Sequence, residues 1–273
     1  MKKMFKRSKG MLGDIGKAFL SKKPVLGIDV DEILRAKWLQ FDRFYVQEFG
    51  EEGAPEKQPY VFDFFKYYKW EETVEEQREL REPDDMPDDI NPIDYQLDKD
   101  GKSPADGFIF KKKETTTLTA KEVYNRFMYE DFLFEIYGAS TMMYKGMDVH
   151  LTRFYEKYKD HVEFVVLSRE NRQTIPPTLF FLSKILSKFN KYQFVETSEE
   201  KWDGIDVLIT TDPDILDGGT PEGKSVIKIL RPYNEECQDG ALGRTGKKIL
   251  QINDLLDNKK FQKIIKYSEK KKK

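Results

Sequence analysis

The chain has 273 residues, enough for one well-packed domain and a smaller second unit, and its aromatic fraction of 14% predicts a genuine apolar core. Charged residues make up 35% of the chain but nearly cancel to a formal net charge of -2, which argues against a nucleic-acid coat protein and against disorder throughout. The single cysteine, Cys237, excludes an internal disulfide, and two histidines give no Cys/His cluster for zinc, so we expect a reducing compartment.

Residues 1–23 are predicted to form a basic N-terminal arm with a short amphipathic segment. A solvated tail is the favoured interpretation, and an anchor for a nucleic acid, an acidic partner or a membrane surface is the alternative. Lys and Gly interrupt the apolar residues of the arm, so we expect no secretory signal. No stretch approaches the roughly 20 apolar residues of a transmembrane segment. The expected location is the cytoplasm, or a particle assembled there.

Residues 25–31 read Val-Leu-Gly-Ile-Asp-Val-Asp, a short apolar run that ends abruptly in acids. Such a run is typical of a buried parallel strand whose functional end lies at the carboxyl edge of a sheet. The residues from Ile33 to Phe49 have helical spacing, and Gly50 is expected to end that helix.

The segment 51–146 differs in composition from the segments on either side, and it is predicted to be an inserted, mainly helical cap region. Prolines punctuate its first half and residues 71–100 are strongly acidic, which favours short helices, loops and a solvated acidic face. Residues 107–118 are a candidate hairpin. Thr119-x-x-Glu122 has the pattern of a capping box, so a helix with a broad apolar face is expected from there to Gly138.

From Met147 onward, strands are predicted to alternate with helices. This alternation predicts a parallel sheet with right-handed crossovers, so residues 24–50 and 147–268 are expected to form one α/β core, followed by a Lys-rich tail at 269–273. The predicted strands of this half are 162–167, 193–195, 205–209, 225–230 and, as a strand or extended segment, 248–252, before a closing amphipathic helix from Asp254 to about Tyr267.

Polar side chains follow several of these strands, and in an open parallel sheet sites form beyond the carboxyl ends. Asp29 and Asp31 are two such carboxylates. They repel each other unless a shared proton or a cation relieves them, and Mg²⁺ is the natural cation for carboxylate and carbonyl oxygens. One carboxylate can then attack phosphorus and the other can move a proton, while Ser168 and Lys201 hold phosphoryl oxygens. Acids that merely cap a helix are the alternative interpretation.

Four segments taken in order resemble the motifs of the haloacid dehalogenase (HAD) superfamily. Gly27-Ile28-Asp29-Val30-Asp31-Glu32-Ile33-Leu34 resembles motif I, and Phe164-Val165-Val166-Leu167-Ser168 resembles motif II. Lys201 sits where many members carry the motif III lysine, and residues 206–213 are similar to motif IV. Residues 226–234 resemble the fifth strand and the Pro-x-Asn turn of 5′-nucleotidase-like members. The resemblance implies a Rossmann-like parallel sheet of the HAD type with a cap inserted after motif I.

By this resemblance Asp29 is the nucleophile, and Asp31 is the general acid/base that also offers a backbone carbonyl to Mg²⁺. Ser168 and Lys201 bind phosphate, and the implied metal ligands are Asp29, Asp31, Asp212 and Asp214. The sequence departs from the family in motif IV, where Thr210 and Thr211 stand in place of paired acids. An ordinary Asp-Pro-Asp turn is the alternative interpretation of Asp212 and Asp214, and a helix N-cap is the alternative for Ser168.

The first functional hypothesis is a Mg²⁺-dependent phosphohydrolase that acts on a nucleotide or another small phosphomonoester through an aspartyl-phosphate. The second is a catalytically impaired HAD-like domain that serves as a structural or interaction subunit of a larger assembly, such as a phage particle, as a homo-oligomer or with other chains. A third is a nucleic-acid or membrane binder that acts through the basic arm.

Overall fold

The structure is a computed structural model that describes residues 23–79, 111–185, 188–243 and 248–272. The predicted basic arm, most of the acidic stretch and the last residue of the Lys-rich tail lie outside the described residues. Among the described residues, none of the helices is long and apolar enough to cross a membrane.

Seven strands and seven α-helices are described. In chain order they are β1 (Val25–Asp29), α1 (Lys37–Phe49), α2 (Phe64–Tyr67), β2 (Thr73–Glu79), β3 (Lys111–Leu118), α3 (Ala120–Arg126), α4 (Met147–Tyr158), β4 (Glu163–Arg169), α5 (Ile175–Ile185), β5 (Tyr192–Val195), β6 (Val207–Thr210), α6 (Pro213–Asp217), β7 (Ser225–Lys228) and α7 (Lys259–Lys272). Short 3₁₀ turns at Glu51–Gly53, Glu199–Trp202, Pro232–Asn234 and Ile252–Leu255, and π turns at Phe127–Asp131 and Phe134–Gly138, lie between them.

Five strands form one parallel sheet in the order β5-β4-β1-β6-β7. The chain builds the sheet outward from β1 on one side with β4 and β5, and then returns to the other side of β1 with β6 and β7. The two directions diverge at the boundary between β1 and β6, which is the place where a doubly wound sheet opens a crevice beyond its strand ends. The predictions of a mixed α/β chain and of a Rossmann-like parallel sheet are confirmed.

Helices cover both faces of this sheet, which is why β1 is apolar in every position before Asp29. On one face, Leu26 and Ile28 pack with Phe154 of α4 and Phe261 of α7. On the other face, a Cβ atom added to Gly27 would lie 2.6 Å from Cδ1 of Leu167, so glycine is required for the close packing there. The central strand is therefore fixed tightly from both sides, and so is the residue that ends it.

The residues inserted between α1 and α4 form a second aromatic core. Phe41 of α1 stacks on Phe64 of α2 with ring centroids 4.1 Å apart, and Phe127 meets Phe41 edge-on at 5.3 Å. The prediction of a hairpin within residues 107–118 is wrong, because Lys111–Leu118 is one strand and pairs antiparallel with β2, far earlier in the sequence. The capping box is confirmed, because Thr119 and Glu122 exchange both hydrogen bonds, but regular α-helix ends at Arg126 and two π turns follow.

The last helix begins later in the sequence than predicted. The Asp254 carboxylate accepts from the backbone N–H groups of Leu250 and Gln251 and shapes a 3₁₀ turn, so the helix does not begin there. Asn258 instead accepts from the N–H groups of Lys260 and Phe261 at 3.0 Å, and α7 runs on to Lys272. Lysines predicted to belong to a tail are thus carried on a helix.

Candidate functional site

A narrow cleft lies at the carboxyl edge of the sheet where β1 and β6 diverge. Five residues that the sequence singled out line it together: Asp29, Asp31, Ser168, Lys201 and Asp212. Tyr60, Val61 and Phe62 from the inserted region cover it, and Arg169 and Thr211 complete the wall. The interior has room for about one water molecule, so a phosphoryl group could enter only if the covering residues moved.

Asp29 ends β1 and is buried, with its Oδ2 atom accepting from two side chains. Lys201 Nζ donates across 2.9 Å, and the Thr210 hydroxyl at the end of β6 donates as well. Burial raises the pKa of the Asp29 carboxyl above its ordinary value, and the nearby Lys201 charge opposes that rise without cancelling it. The predicted nucleophile is therefore engaged at one oxygen by a cation and a hydroxyl.

Lys201 connects two carboxylates. Its ammonium lies 2.9 Å from Asp29 Oδ2 and 2.8 Å from Asp212 Oδ2, with the lysine side chain 3% exposed. Burial alone would lower the pKa of Lys201, but the two carboxylates outweigh burial and raise that pKa above its ordinary value. The lysine is thus a permanent internal counter-ion.

Asp212 serves both the cleft and the helix that follows it. Its Oδ2 also accepts from the Ser198 hydroxyl at 2.7 Å, while its Oδ1 accepts from the backbone N–H of Asp214 at 3.0 Å and caps α6, with Pro213 in the first helical position. Burial works to raise the pKa of Asp212, but Lys201 and the hydroxyl groups lower it overall. The Asp-Pro-Asp turn is therefore real, and Asp212 also points into the cleft.

Asp214 lies outside the cleft lining. Its side chain is 59% exposed and lies 3.6 Å from a guanidinium nitrogen of Arg169. It lines an open groove on the outer side of Tyr60 together with Tyr67 and Tyr233. The structure therefore brings Asp212, but not Asp214, together with Asp29.

Asp31 is neutralised by two basic side chains that the sequence analysis did not single out. Arg35 Nε donates to Oδ1 at 2.7 Å, and Lys37 Nζ donates to Oδ2 at 3.1 Å. Burial works to raise the pKa of the Asp31 carboxyl, but Arg35 and Lys37 lower it overall. Asp31 is thus paired with two cations, whereas Asp29 shares Lys201 with Asp212. The spacing of four residues between Asp31 and Arg35 was the available signal, but that spacing is common on exposed helices.

Arg35 is fully buried and contacts four elements. Beyond Asp31, it donates to Glu170 at 2.7 Å after β4, to the Thr178 hydroxyl at 2.7 Å in α5, and to the backbone carbonyl of Tyr137 at 3.0 Å in the inserted region. A fully partnered guanidinium at such a junction fixes the relative positions of all the groups it contacts. The inserted region is held onto the sheet edge by this residue.

Ser168 occupies the predicted position at the end of β4, but its hydroxyl has another partner. It donates to Glu170 Oε1 at 2.8 Å, and the Thr178 hydroxyl donates to the same oxygen at 2.9 Å. Ser168 lies within β4 and α5 begins at Ile175, so the hydroxyl is part of the buried network around Arg35 and does not cap a helix.

Glu32 was within motif I but carried no predicted role. Its φ of 59° makes it the one non-glycine residue with positive φ among the described residues. Its carboxylate accepts from the backbone N–H of Trp38 and from the Gln58 amide, and Arg231 donates to its backbone carbonyl. Burial, together with the neighbouring Asp31 charge, raises the pKa of Glu32 to about 7. This residue ties the end of β1 to the segment that leads to Tyr60.

The Pro-x-Asn turn after β7 holds the other side of the cleft. Asn234 Nδ2 donates to the carbonyl of Thr211 at 2.9 Å and to the carbonyl of Ile229 at 3.0 Å, while its Oδ1 accepts from the backbone N–H of Arg231. Thr211 in turn donates from its hydroxyl to the backbone carbonyl of Asp31. The loop after β6 is therefore held in place by side-chain hydrogen bonds to the turn after β7.

Mg²⁺ prefers an octahedral shell of oxygen ligands that includes several waters. Within the described part of the chain, no group of three or more His, Cys, Asp or Glu side chains is placed to hold a metal ion. Asp29 and Asp212 share Lys201, and Asp31 is paired with Arg35 and Lys37. The cleft has room for about one water molecule, so Mg²⁺ with its water ligands does not fit this arrangement unless the cleft widens, and Mg²⁺ binding stays a prediction.

No protein-family model and no curated protein matches the chain. The resemblance to the HAD superfamily therefore rests on the four motifs, and it stays a prediction.

Proposed function

We propose that this chain is a catalytically impaired HAD-like domain that serves as a structural or interaction subunit of a larger assembly, such as a phage particle. The observation that supports impairment is the pairing of Asp31 with Arg35 and Lys37. In the HAD scheme Asp31 has to give a proton to the leaving group and later take one from water.

Proton transfer is efficient when the pKa of the acid lies near the working pH. Arg35 and Lys37 lower the pKa of the Asp31 carboxyl, so it is an ionised partner of two cations and has no proton to give. Releasing Asp31 would leave the buried Arg35 without one of its partners. Breaking a buried ion pair costs about 3–5 kcal/mol.

The altered motif IV supports the same proposal. Thr210 is uncharged, and its hydroxyl donates a hydrogen bond to Asp29. The Thr211 hydroxyl donates a hydrogen bond to the backbone carbonyl of Asp31. The cleft keeps its carboxylates but balances them with Lys201, Arg35 and Lys37. These three cations are already engaged by carboxylates, and Arg169 in the cleft wall lies 3.6 Å from the Asp214 carboxylate. An arriving phosphate dianion would therefore have to compete with carboxylates for every cation at the cleft.

In this proposal the buried ion pairs have a structural role. Arg35 holds the end of β1, the end of β4, α5 and the inserted region in one arrangement. Lys201 does the same for the ends of β1 and β6. The sheet is then a rigid base that presents the inserted region, the cap of the HAD scheme, to partner subunits.

The deciding experiment is a thermal-shift titration with Mg²⁺ and aluminium fluoride, a phosphoryl mimic, on the wild type and on Asp29→Asn. The expected result is no metal-dependent stabilisation of either protein. A ligand at 100 times its dissociation constant would add about 2.7 kcal/mol, which is readily measured. A metal-dependent shift in the wild type that Asp29→Asn abolishes would refute the proposed impairment.

That opposite outcome would support the second candidate, a Mg²⁺-dependent phosphohydrolase with Asp29 as nucleophile. The observation in its favour is that Asp29, Ser168 and Lys201 line one cleft at the divergence of the sheet. Release of phosphate from a small phosphomonoester, lost in Asp29→Asn, would then identify the activity.

A further inference from the structure

The outward face of α7 carries a straight row of lysines. Lys259, Lys263, Lys266 and Lys270 are all exposed. With about 3.6 residues per turn, these positions lie within an arc of about 60° on one side of the helix. The buried residues Phe261, Ile265 and Ser268 lie on the opposite side. The row is therefore directed straight away from the protein core.

The four ammonium groups are not used to hold the fold together. With the described residues they form no hydrogen bond or ion pair, in contrast to Lys260, which donates to the Leu242 carbonyl at 3.2 Å. The acid within α7, Glu269, is partly buried and lies 3.5 Å from His161. Like charges three and four residues apart destabilise a helix by a few tenths of a kcal/mol per pair. The row is thus a feature that the fold tolerates and does not need.

The length of the row matches a phosphate backbone. Lys259 and Lys270 are eleven positions apart, so at a rise of about 1.5 Å per residue the row spans about 16 Å. One strand of duplex DNA places about five phosphates over that axial distance. Flexible lysine stems can adjust to phosphates that do not align with each ammonium. The row therefore complements the charge of a nucleic-acid strand over its whole length.

A lipid surface fits this helix less well. An interfacial helix binds a bilayer by burying its apolar face among the lipids. In α7 that face is already covered, since Phe261 is 0% exposed and its ring lies 5.8 Å from that of Phe154. The exposed aromatic residue of α7 is Tyr267, and the Lys271 ammonium lies over its ring. Tyr267 is the large exposed aromatic side chain on the described helix, and one such residue does not make the continuous apolar face that a membrane surface requires.

We propose that the lysine row of α7 binds the phosphate backbone of a nucleic acid without regard to sequence. Ammonium groups on flexible stems contact phosphates as point charges and do not read base edges, so affinity and not specificity is expected. The inference is independent of the cleft.

The test is fluorescence anisotropy of the full chain with two duplex DNAs of about 30 base pairs and unrelated sequence, over a salt series from about 50 to 300 mM. The quadruple variant Lys259→Gln, Lys263→Gln, Lys266→Gln and Lys270→Gln removes the row while keeping good helix formers. A matched control removes the same charge elsewhere on the surface, with Lys57→Gln, Lys66→Gln, Lys121→Gln and Lys145→Gln, all exposed.

The wild type should bind both duplexes alike. Each phosphate contact contributes about 0.9 to the slope of log K against log salt, so loss of the row should reduce the slope by about 3 to 4. It should raise the low-salt Kd at least about tenfold, whereas the control should change it less than about threefold. Equal loss in both variants, or no binding by the wild type at low salt, would overturn the proposal. So would row-dependent binding to vesicles containing anionic lipid without binding to DNA.

Discussion

Arg35 Nε donates to Asp31 Oδ1 across 2.7 Å, and the arginine side chain has no contact with solvent. A buried cation that loses its partners, or a buried anion that loses its cation, is strongly unfavourable. The stability of the fold should therefore depend on how buried charges are paired at this edge of the sheet.

Arg35→Met should destabilise the fold by about 3–5 kcal/mol, because it leaves Asp31 with Lys37 alone and removes the cation from Glu170. Urea unfolding at neutral pH measures the change. Arg43→Met is the matched control, since Arg43 is an exposed residue of α1, and it should change stability by less than about 0.5 kcal/mol. A small effect of Arg35→Met would mean that the charges in this network are more hydrated than the structure indicates.

Asp29→Asn and Asp212→Asn should shift stability in opposite directions at pH 7. Burial raises the pKa of Asp29 in the folded chain, so its contribution to stability is present at low pH and is lost as the pH rises. Lys201 and the hydroxyl groups lower the pKa of Asp212 despite its burial, so its contribution is present at neutral pH and is lost on acidification.

Neutralising Asp29 should therefore leave the melting temperature unchanged or raise it, whereas neutralising Asp212 should cost about 1–3 kcal/mol, the range for a hydrogen bond to a charged group. Thermal unfolding of the two variants beside the wild type is the measurement. Equal destabilisation of both variants would mean that Asp29 and Asp212 interact equally strongly with Lys201.

Glu32 should make stability depend on pH in the range between its unfolded and folded pKa values. Burial raises the pKa of Glu32 from 4.5 to about 7, so the folded chain holds a proton there that the unfolded chain has released. Its contribution to stability is complete below pH 4.5 and is lost as the pH rises through about 7. The size of that contribution is about 3 kcal/mol.

Glu32→Gln should remove this dependence, because an amide can still accept from Trp38 and cannot ionise. Urea unfolding of wild type and variant at pH 5 and pH 8 is the measurement. Relative to the wild type, the variant should be clearly more stable at pH 8 than at pH 5. Glu52→Gln, at an exposed position, provides the comparison, and its difference should be flat. A flat difference for Glu32→Gln as well would mean that the carboxylate is ionised throughout.

Gly27→Ala should destabilise the sheet by about 1–3 kcal/mol, because the new methyl carbon would lie 2.6 Å from Leu167 and 3.1 Å from Ile205. Leu167→Ala combined with Gly27→Ala should recover part of that loss by making space for the methyl group. Chemical denaturation of both single variants and of the pair gives the coupling energy, and strictly additive effects would exclude a direct clash.

The parallel sheet could be predicted from the sequence because each strand is a short apolar run bounded by turn residues or acids, as in Val25–Asp29. The meeting of Asp29, Ser168 and Asp212 followed from one rule, that the ends of parallel strands share an edge. Lys201 was expected there from its resemblance to the motif III lysine. Local patterns were sufficient to locate the strands, and the order of the strands in the sheet then determines which strand ends are adjacent.

The charge pairing could not be predicted. Arg35 reaches Glu170, Thr178 and the Tyr137 carbonyl across 102 to 143 positions of sequence, and no local pattern encodes such contacts. The start of α7 was missed for a related reason. Asp254 and Asn258 are both good N-cap residues, and only the packed structure shows that Asp254 caps the preceding turn and Asn258 the helix.

The central position of β1 has a consequence for synthesis of the chain. Its neighbours β4 and β6 come from much later in the sequence, and 134 positions separate Asp29 from Glu163. The ribosome therefore releases the central strand of the sheet long before either partner exists. The aromatic cluster of the inserted region, built almost entirely from residues 41–137, can condense during that interval. The inserted region is thus expected to order first and the sheet to close late, after a long wait in which β1 is an exposed apolar edge.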